Sequence, residues 1–500
     1  MRLFTPTTRT IVTTTRAVTT GRFLAYRVPS TTRLARNTTA IAATNQHASH
    51  IRACSSENGP PSPPPPFNPE TYPHQATTTL SNIPPKLIPD TLHPTQSHLL
   101  SLALSSHLPS VCLPAGFVNS RNNKSPSRSS SSSQSIFPWP TTQYQAALPP
   151  GYHLIYYPLQ TPPHLLFPDG TDADHCPGAP FTRRMWAGGR IEFAKGADQK
   201  FTVDGRKTVC VETLGEPVAQ LGKGGAGSEQ EQRVWVDVWR TYVTFPPEAE
   251  GVSETEMERV VAEVNKDLEQ SSAMNASTEP SKPKEGVISE LRRLVFLRER
   301  QPPIAGQQHT LEPAPARAIR VPHTPDFSFT MMPDATLLFQ FSALTFNAHA
   351  IHLDPLYARE VEGYKERLVH GPLTLVVMLR GVEGFLNGAS TSGATGTGAG
   401  TGTDGTQISE AIKERLLVPE RESQKDGKRK QWEIANIEYK NLRPLFVGEE
   451  MKVCVRLLPN KQKNGDEASL GGPRRERVDV WIEAPDEGLA VKGTVGVEWR

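Results

Sequence analysis

Four polar residues lie close together in a segment that is otherwise largely apolar: Asn347, His349, His352 and Asp354. An imidazole titrates near neutrality, so either histidine could serve as a general base or acid. A carboxamide can orient a water by hydrogen bonds but cannot exchange a proton. Asp354 precedes Pro355, and this pair is typical of a helix start, where Asp caps free N–H groups. The segment therefore predicts proton-transfer chemistry centred on a histidine.

A buried helix is predicted immediately after this cluster, over residues 373–386, opened by His-Gly-Pro at 370–372. It is apolar on nearly every side, which indicates burial, and it is too short to span a membrane. The N-terminus of a buried helix offers unpaired N–H groups and a positive dipole end. The Gly371 N–H could therefore stabilise negative charge that develops on a carbonyl oxygen.

Other site chemistries are weakly supported. Two histidines three residues apart could form a metal pair, but no third ligand is evident nearby. The five cysteines are scattered without a C-x-x-C pair, which disfavours a zinc site or a disulfide framework. Residues 388–406 are rich in Gly, Thr and Ser but lack the phosphate-loop pattern, which favours a flexible insertion. We expect no metal and no cofactor.

Charge is unevenly distributed along the chain. Residues 1–56 hold eight arginines and no acidic residue; removing those eight leaves 46 basic against 52 acidic residues. A body of net negative charge is not expected to bind nucleic acid. The Arg-rich, Thr-rich, acid-free start is typical of a mitochondrial transit peptide, with a basic disordered tail as the alternative. We expect a matrix location and, since no apolar run reaches about eighteen residues, no membrane span.

Length and proline-rich stretches predict two domains after a non-globular start. The predicted divisions are residues 1–84 (transit peptide and disordered Pro-rich linker), 85–300 (first domain) and 318–500 (second domain). In the first domain we expect a helix over 90–108 and strands over 152–157, 208–213 and 233–245. In the second we expect strands over 327–329, 337–339, 432–439, 451–458, 478–483 and 489–498.

The sequence TFNAHAIHLD, residues 345–354, resembles the hydratase motif of the MaoC-like, (R)-specific enoyl-thioester hydratases, which reads S/T-x-D-x-N-P-x-H-x-D. The catalytic His of that motif falls on His352. Its catalytic Asp falls on Asn347 and its Asn on His349, and both are departures. With the following Y-A-R, E-G-Y and L-V-H-G-P-L, the variant is similar to fungal mitochondrial 3-hydroxyacyl-thioester dehydratases type 2 and to mesaconyl- and itaconyl-CoA hydratases.

The resemblance implies an α+β double hot-dog fold, in which two antiparallel sheets each wrap a helix. The N-terminal unit would be degenerate and lack the catalytic His. Composition adds the expectation that the N-terminus and the insertions are disordered. The implied activity is that of a hydro-lyase, which eliminates water in syn fashion from 3-hydroxyacyl thioesters in mitochondrial type II fatty-acid synthesis. The substrate would be carried by acyl-carrier protein or coenzyme A, and the chain would be a monomer or homodimer.

The resemblance also assigns roles to residues. His352 would act as base and acid, and Gly371 would hold the thioester oxygen. Either Asn347 positions the reacting group while His352 works alone, or His349 supplies a second proton-transfer group. Arg183 and Arg184, in the element R-R-M-W-A-G-G, could bind the phosphates of coenzyme A or phosphopantetheine, because guanidinium groups suit phosphate.

Several alternatives remain open. The two arginines could instead form a surface ion pair or pack on Trp186. The substrate could be a short branched or dicarboxylic enoyl-CoA, such as mesaconyl- or itaconyl-CoA, which an arginine-rich acyl tunnel would favour. Loss of the aspartate at position 347 also suits a non-catalytic hot-dog scaffold that binds acyl-carrier protein, and a hot-dog thioesterase is a weaker possibility.

Overall fold

The computed structural model describes residues 67–114, 117, 147–221, 232–245, 286–299, 319–321, 323–390, 408–417, 424–425, 428–429, 431–459 and 474–500, with isolated positions 253, 255, 259, 260, 262 and 266. The predicted transit peptide and the interdomain stretch 300–317 lie outside these residues. The predicted division into domains therefore stays a prediction. Residues 66–500 cluster as one unit by their internal contacts.

Seven α-helices occur in the described residues: α1 Tyr72–Ser81, α2 Pro94–Leu104, α3 Ala197–Lys200, α4 Ala335–Thr345, α5 Ala350–Leu353, α6 Gly371–Ser390 and α7 Glu410–Leu416. Thirteen strands accompany them: β1 Lys86–Thr91, β2 Arg183–Phe193, β3 Lys207–Leu214, β4 Val218–Gln220, β5 Arg233–Thr244, β6 Ile288–Leu297, β7 Phe327–Met331, β8 Gln424–Lys425, β9 Lys428–Arg429, β10 Trp432–Asn441, β11 Met451–Leu457, β12 Arg475–Glu483 and β13 Leu489–Trp499.

Eleven strands form a single antiparallel sheet. Its order is β1-β3-β5-β6-β2-β10-β13-β12-β11-β7, with β4 paired to β5, while β8 and β9 form a separate pair. The first-half strands β1–β6 and the second-half strands β7 and β10–β13 meet where β2 pairs with β10. At this junction only glycine fits position 188, because φ is +147° and a Cβ would lie 2.4 Å from the Tyr439 carbonyl oxygen.

The second-half strands pack around α6, whose side chains are buried at every position from Leu373 to Val382. Leu373, Leu375, Val376, Val377, Met378, Leu379, Val382 and Phe385 have no exposed surface. They share one core with Val453 and Val455 of β11 and Val480 of β12. Each such side chain contributes about 1.5–3 kcal/mol on burial, so the sheet holds α6 firmly in place.

The sheet wrapped around a buried helix confirms the predicted α+β hot-dog fold, and the two expected sheets are joined edge to edge into one. The buried helix, α2 and the strands after α6 lie where they were predicted. No helix among the described residues is long and apolar enough to cross a membrane.

Three local predictions are wrong. Residues 72–81, placed in the linker, form α1, whose Tyr72, Ala76 and Leu80 are buried. Residues 152–155, predicted as strand, form a 3₁₀ turn after Gly151, which has a left-handed φ of 88°. Residues 337–339, also predicted as strand, belong to α4. The Asp334 side chain caps that helix by accepting a hydrogen bond from Leu337 N–H at 2.7 Å.

Candidate active site

The end of α4 turns the chain so that the polar cluster faces α6. Phe346 takes a left-handed φ of 52° at the helix C-cap, and Asn347 N–H donates to Ser342 carbonyl at 2.9 Å. Asn347 Oδ1 accepts a hydrogen bond from His349 N–H at 3.0 Å. Because the oxygen serves this local turn, the Asn347 NH₂ group remains the donor that could orient a substrate oxygen.

His352, on α5, lines a cavity of about 760 Å³. Its Nδ1 lies 2.8 Å from the Leu368 carbonyl oxygen, which can only accept, so Nδ1 carries the proton and Nε2 carries the lone pair. The pKa of His352 is lowered to about 4, chiefly by burial; the Leu368 carbonyl opposes this shift and Arg184 adds to it. At neutral pH this imidazole is therefore an unprotonated base.

His349 lies beside His352, with ring centroids 5.5 Å apart and the planes at 80°. Its Nε2 is 3.6 Å from Asp169 Oδ2, on a loop of the first half. Burial holds the pKa of His349 well below its usual range, and His352 and Arg184 lower it further. His349 is thus also neutral and also lines the cavity, so the structure brings both predicted imidazoles to one place.

Gly371 begins α6 at the wall of the same cavity. A Cβ there would lie 2.9 Å from Trp186 Cβ and 3.0 Å from Asn441 Nδ2, so the backbone is packed closely on the β2–β10 junction. Its neighbour His370 stacks on His352 at a centroid distance of 3.7 Å. The helix N-terminus and the basic imidazole therefore face one space, as an oxyanion contact requires.

The two predicted phosphate-binding arginines have separate environments. Arg183 donates to both carboxylate oxygens of Glu362, with Nε at 3.0 and 3.1 Å, and it is not among the cavity-lining residues. Arg184 lines the cavity and donates to Asp172 Oδ2 at 2.7 Å. Burial opposes the Arg184 charge, but Asp172, together with Asp169 and Cys176, raises the arginine pKa above its ordinary value. Arg183 thus joins β2 to the segment after His352, whereas Arg184 faces the site.

Asp354 lies outside the cavity lining and caps the segment that follows it. Its Oδ1 accepts hydrogen bonds from Leu356 N–H at 2.8 Å and Tyr357 N–H at 3.2 Å. This is the helix-start role that the Asp-Pro pair predicts.

First-half side chains that the sequence analysis did not single out also line the cavity. Arg240 and Arg292 face it, and their carboxylate partners are Glu212 at 2.6 Å and Glu290 at 2.8 Å. Arg240 and Glu212 lie on different strands, β5 and β3, so no local sequence pattern could have revealed that pair, whereas Glu290 and Arg292 lie two residues apart on β6. His370 was noted only as a helix-start residue, although its contact with His352 makes it part of the site.

The described residues do not suggest a metal centre. No group of three or more His, Cys, Asp or Glu side chains among them has an arrangement that could hold a metal ion. The cysteines of the described part, Cys112, Cys176, Cys210 and Cys454, are buried free thiols.

A sheet wrapped around a buried helix, with a basic imidazole at the helix N-terminus, defines the MaoC-like hot-dog class. Comparison with known proteins gives a narrower similarity. The family model for hydroxyacyl-thioester dehydratase type 2 matches residues 151–244 and 226–392, which together span just under half of the chain, and over this region the chain is similar to that family.

Two curated relatives accompany this match. The mesaconyl-C(4)-CoA hydratase of Chloroflexus aurantiacus is 49% identical over 67 residues, which is 13% of this chain and 24% of the relative. The mitochondrial hydroxyacyl-thioester dehydratase type 2 of Schizosaccharomyces pombe is 24% identical over 243 residues, which is 47% of this chain and 66% of the relative. The chain thus spans about a quarter of the first relative and just under two thirds of the second.

Among solved structures, the MaoC-like dehydratase from Phytophthora capsici aligns with 84% of this chain and 97% of its own. The TM-score is 0.42 and the sequence identity is 12%.

Proposed function

We propose that this chain is a hydro-lyase that interconverts 3-hydroxyacyl and enoyl thioesters, as a dehydratase of mitochondrial type II fatty-acid synthesis. The observation that carries the proposal is the placement of His352. Its Nδ1–H is tied to the Leu368 carbonyl, its ring lines the cavity, and its neighbour His370 precedes the first residue of α6. The family-model match and the two relatives, a hydratase and a dehydratase by name, support the same class of reaction.

In the proposed reaction, the thioester carbonyl oxygen accepts a hydrogen bond from Gly371 N–H, which acidifies the α-proton. His352 Nε2 takes that proton, and the developing charge collects on the thioester oxygen. The imidazolium then gives the proton to the leaving hydroxyl on the same face, and water departs in a syn elimination. A pKa of about 4 makes this imidazolium a strong acid toward hydroxide, so His352 can serve both steps.

Either Asn347 or His349 could take the role of the catalytic aspartate in the hydratase motif. The Asn347 carboxamide can hold the hydroxyl group, whereas the neutral His349 could transfer a proton. We favour Asn347 as the positioning group, with His352 working alone, because His352 stands at the histidine position of the hydratase motif and its Nδ1–H is held by the Leu368 carbonyl. Replacing Asn347 by Ala should then lower kcat more than replacing His349 by Phe.

The test is hydration of crotonyl thioesters, followed by loss of the enoyl-thioester ultraviolet absorbance. The purified chain should turn over the acyl-carrier-protein or coenzyme A form, and His352→Ala should lower kcat by about 10²–10⁴-fold. The rate should be flat at neutral pH and fall below about pH 4, as His352 gains a proton. If the purified chain binds acyl-carrier protein but turns over no enoyl thioester of any chain length, the scaffold alternative would be favoured instead.

A second candidate is hydration of a dicarboxylic enoyl-CoA of the mesaconyl or itaconyl type. Arg184, Arg240 and Arg292 line the cavity; Glu212 and Glu290 lie outside its lining, whereas Asp172, the partner of Arg184, lies within it. Guanidinium groups in a cavity wall suit a substrate carboxylate. The balancing carboxylates weaken this attraction, and Leu154, Leu294, Val295 and Leu445 give the cavity apolar walls as well. A kcat/KM at least tenfold higher for mesaconyl-CoA than for crotonyl-CoA would select this candidate.

The mitochondrial location is part of the proposal. The S. pombe relative carries that location in its name, and the Arg-rich start of this chain has the composition of a transit peptide. A fusion of residues 1–84 to a fluorescent protein should enter mitochondria, and the same fusion with its eight arginines replaced by Gln should not.

A further inference from the structure

Two stacked histidines lie at the start of α6. The His370 ring is 3.7 Å from the His352 ring between centroids, with 23° between their planes. His352 lines the cavity, whereas His370 has no exposed surface and is not among the cavity-lining residues. His370 therefore does not reach a bound substrate, but it covers one face of the ring that does.

Contacts on other sides fix the His370 ring. Its Nε2 is 2.8 Å from Ser342 Oγ on α4, and the Phe341 ring packs at 5.1 Å. Its buried Nδ1 has no hydrogen-bond partner among the described residues. An unpaired buried N–H is rarer in proteins than an unpaired acceptor, so Nδ1 carries the lone pair and Nε2–H donates to Ser342.

We propose that His370 is a positioning residue, which holds the His352 imidazole in one orientation and one tautomer for proton transfer. The role rests on the proposed function of His352. Rotation of the His352 ring about its Cβ–Cγ bond would break both the stack and the hydrogen bond to Leu368. The two contacts together keep Nε2 as the basic nitrogen, and a 1 Å misplacement of such a group can cost about 10²-fold in rate.

The stack also requires His370 to stay neutral. The groups that face the pair are His349 beside His352, Arg184 across the cavity wall, and the uncharged Ser342 and Phe341 against His370. Burial holds the pKa of His370 well below its usual range, and His352 and His349 lower it further. When His352 takes a proton, its positive charge thus meets a neutral aromatic ring on its stacked face.

The test compares His370→Leu, His370→Phe and Ser342→Ala with the wild-type chain. Leu removes the aromatic face, Phe keeps it without polar atoms, and Ser342→Ala removes the hydrogen bond. We expect kcat on a crotonyl thioester to fall about 100-fold for Leu with little change in KM, and the Phe variant to keep most of the wild-type rate. The Ser342→Ala rate should lie between them. Equal rates for the Leu and Phe variants, in folded proteins, would overturn the proposal.

A second readout does not depend on turnover. In ¹⁵N-histidine-labelled protein, His352 should show a single Nδ1–H tautomer in the wild type and a titration midpoint near pH 4. His370→Leu should give a mixture of tautomers and a midpoint shifted toward 6.5, because water reaches the uncovered face. Unchanged His352 signals in both His370→Leu and Ser342→Ala would refute the positioning role. A wild-type chain inactive on all thioesters would refute the proposed function, while these signals would still test the stack.

Discussion

We expect Arg183 to stabilise the fold and to take no part in substrate binding. The substitution Arg183→Met should therefore lower the free energy of unfolding and leave KM unchanged. Its guanidinium donates through Nε to Glu362 Oε1 at 3.0 Å and Oε2 at 3.1 Å, and through Nη2 to Oε2 at 2.5 Å. The side chains are 16% and 5% exposed. In the Met variant the Glu362 carboxylate keeps only the Tyr357 hydroxyl, at 3.3 Å, among its described side-chain partners.

The expected loss of stability in Arg183→Met follows from the burial of the Glu362 carboxylate. Removing one partner of a buried ion pair costs about 3–5 kcal/mol, and partial access of water to Arg183 places the expected loss near the lower limit, about 3 kcal/mol. The double variant Arg183→Met, Glu362→Gln leaves no buried charge. We therefore expect it to lose only about 1 kcal/mol relative to wild type, which implies a coupling energy of about 2 kcal/mol or more.

Urea denaturation of the four proteins in the cycle measures these losses, and KM for a crotonyl thioester is measured alongside. Arg293→Met is the matched control, because that arginine pairs with Asp237 at 2.8 Å while 47% exposed and should lose less than about 1 kcal/mol. If Arg183→Met were as mild as this control, or if it raised KM tenfold at unchanged stability, Arg183 would be a ligand-binding residue and the structural interpretation would be wrong.

Two further substitutions test other parts of the structure. Gly371→Ala should lower kcat by at least tenfold and lower the free energy of unfolding by about 1–3 kcal/mol, because the added Cβ would displace the helix start from Trp186 and Asn441. Gly388→Ala is the control on the same helix. Its added Cβ would lie 3.1 Å from Ile408 Cδ1, and this variant should stay active. Burial, with help from Asp198, raises the pKa of Glu433 to about 7, so the folded chain holds a proton that the unfolded chain releases above about pH 4.5. Glu433→Gln should therefore leave stability unchanged near pH 4 and raise it by about 1–2 kcal/mol at pH 8; equal effects at both pH values in urea denaturation would contradict this.

The buried helix and the strands that wrap it could be predicted because each has a recognisable pattern of apolar residues within its own short segment. A helix apolar on all faces, and strands with alternating valines, leave few other ways to bury their side chains. The hydratase motif likewise located His352 and Gly371, since their relation depends on a short stretch of chain. These parts required no knowledge of the partner strand.

The parts that the sequence did not predict depend on distant partners. Residues 152–155 are rich in residues that favour strands, yet Tyr152 and Tyr156 bury their rings and hydrogen-bond Ser101 and Ser97 of α2 at 2.9 Å. These contacts stabilise a 3₁₀ turn over the strand that local propensity favours. The roles of Arg183 and Arg184 differ for a similar reason. Arg183 pairs with Glu362, which is far away in the sequence, whereas Arg184 pairs with Asp172 and lines the cavity.

The junction between β2 and β10 has a consequence for the order of folding. Gly188 of β2 pairs with Lys440 of β10. The eleven-residue strand β2 is therefore synthesised long before β10, the strand with which it pairs. During that interval β2 is a free sheet edge, open to pairing with another copy of the chain. Contacts so distant in sequence also form slowly. A newly made chain therefore depends on dilution or on chaperones until its last third has emerged, and the catalytic space closes only then.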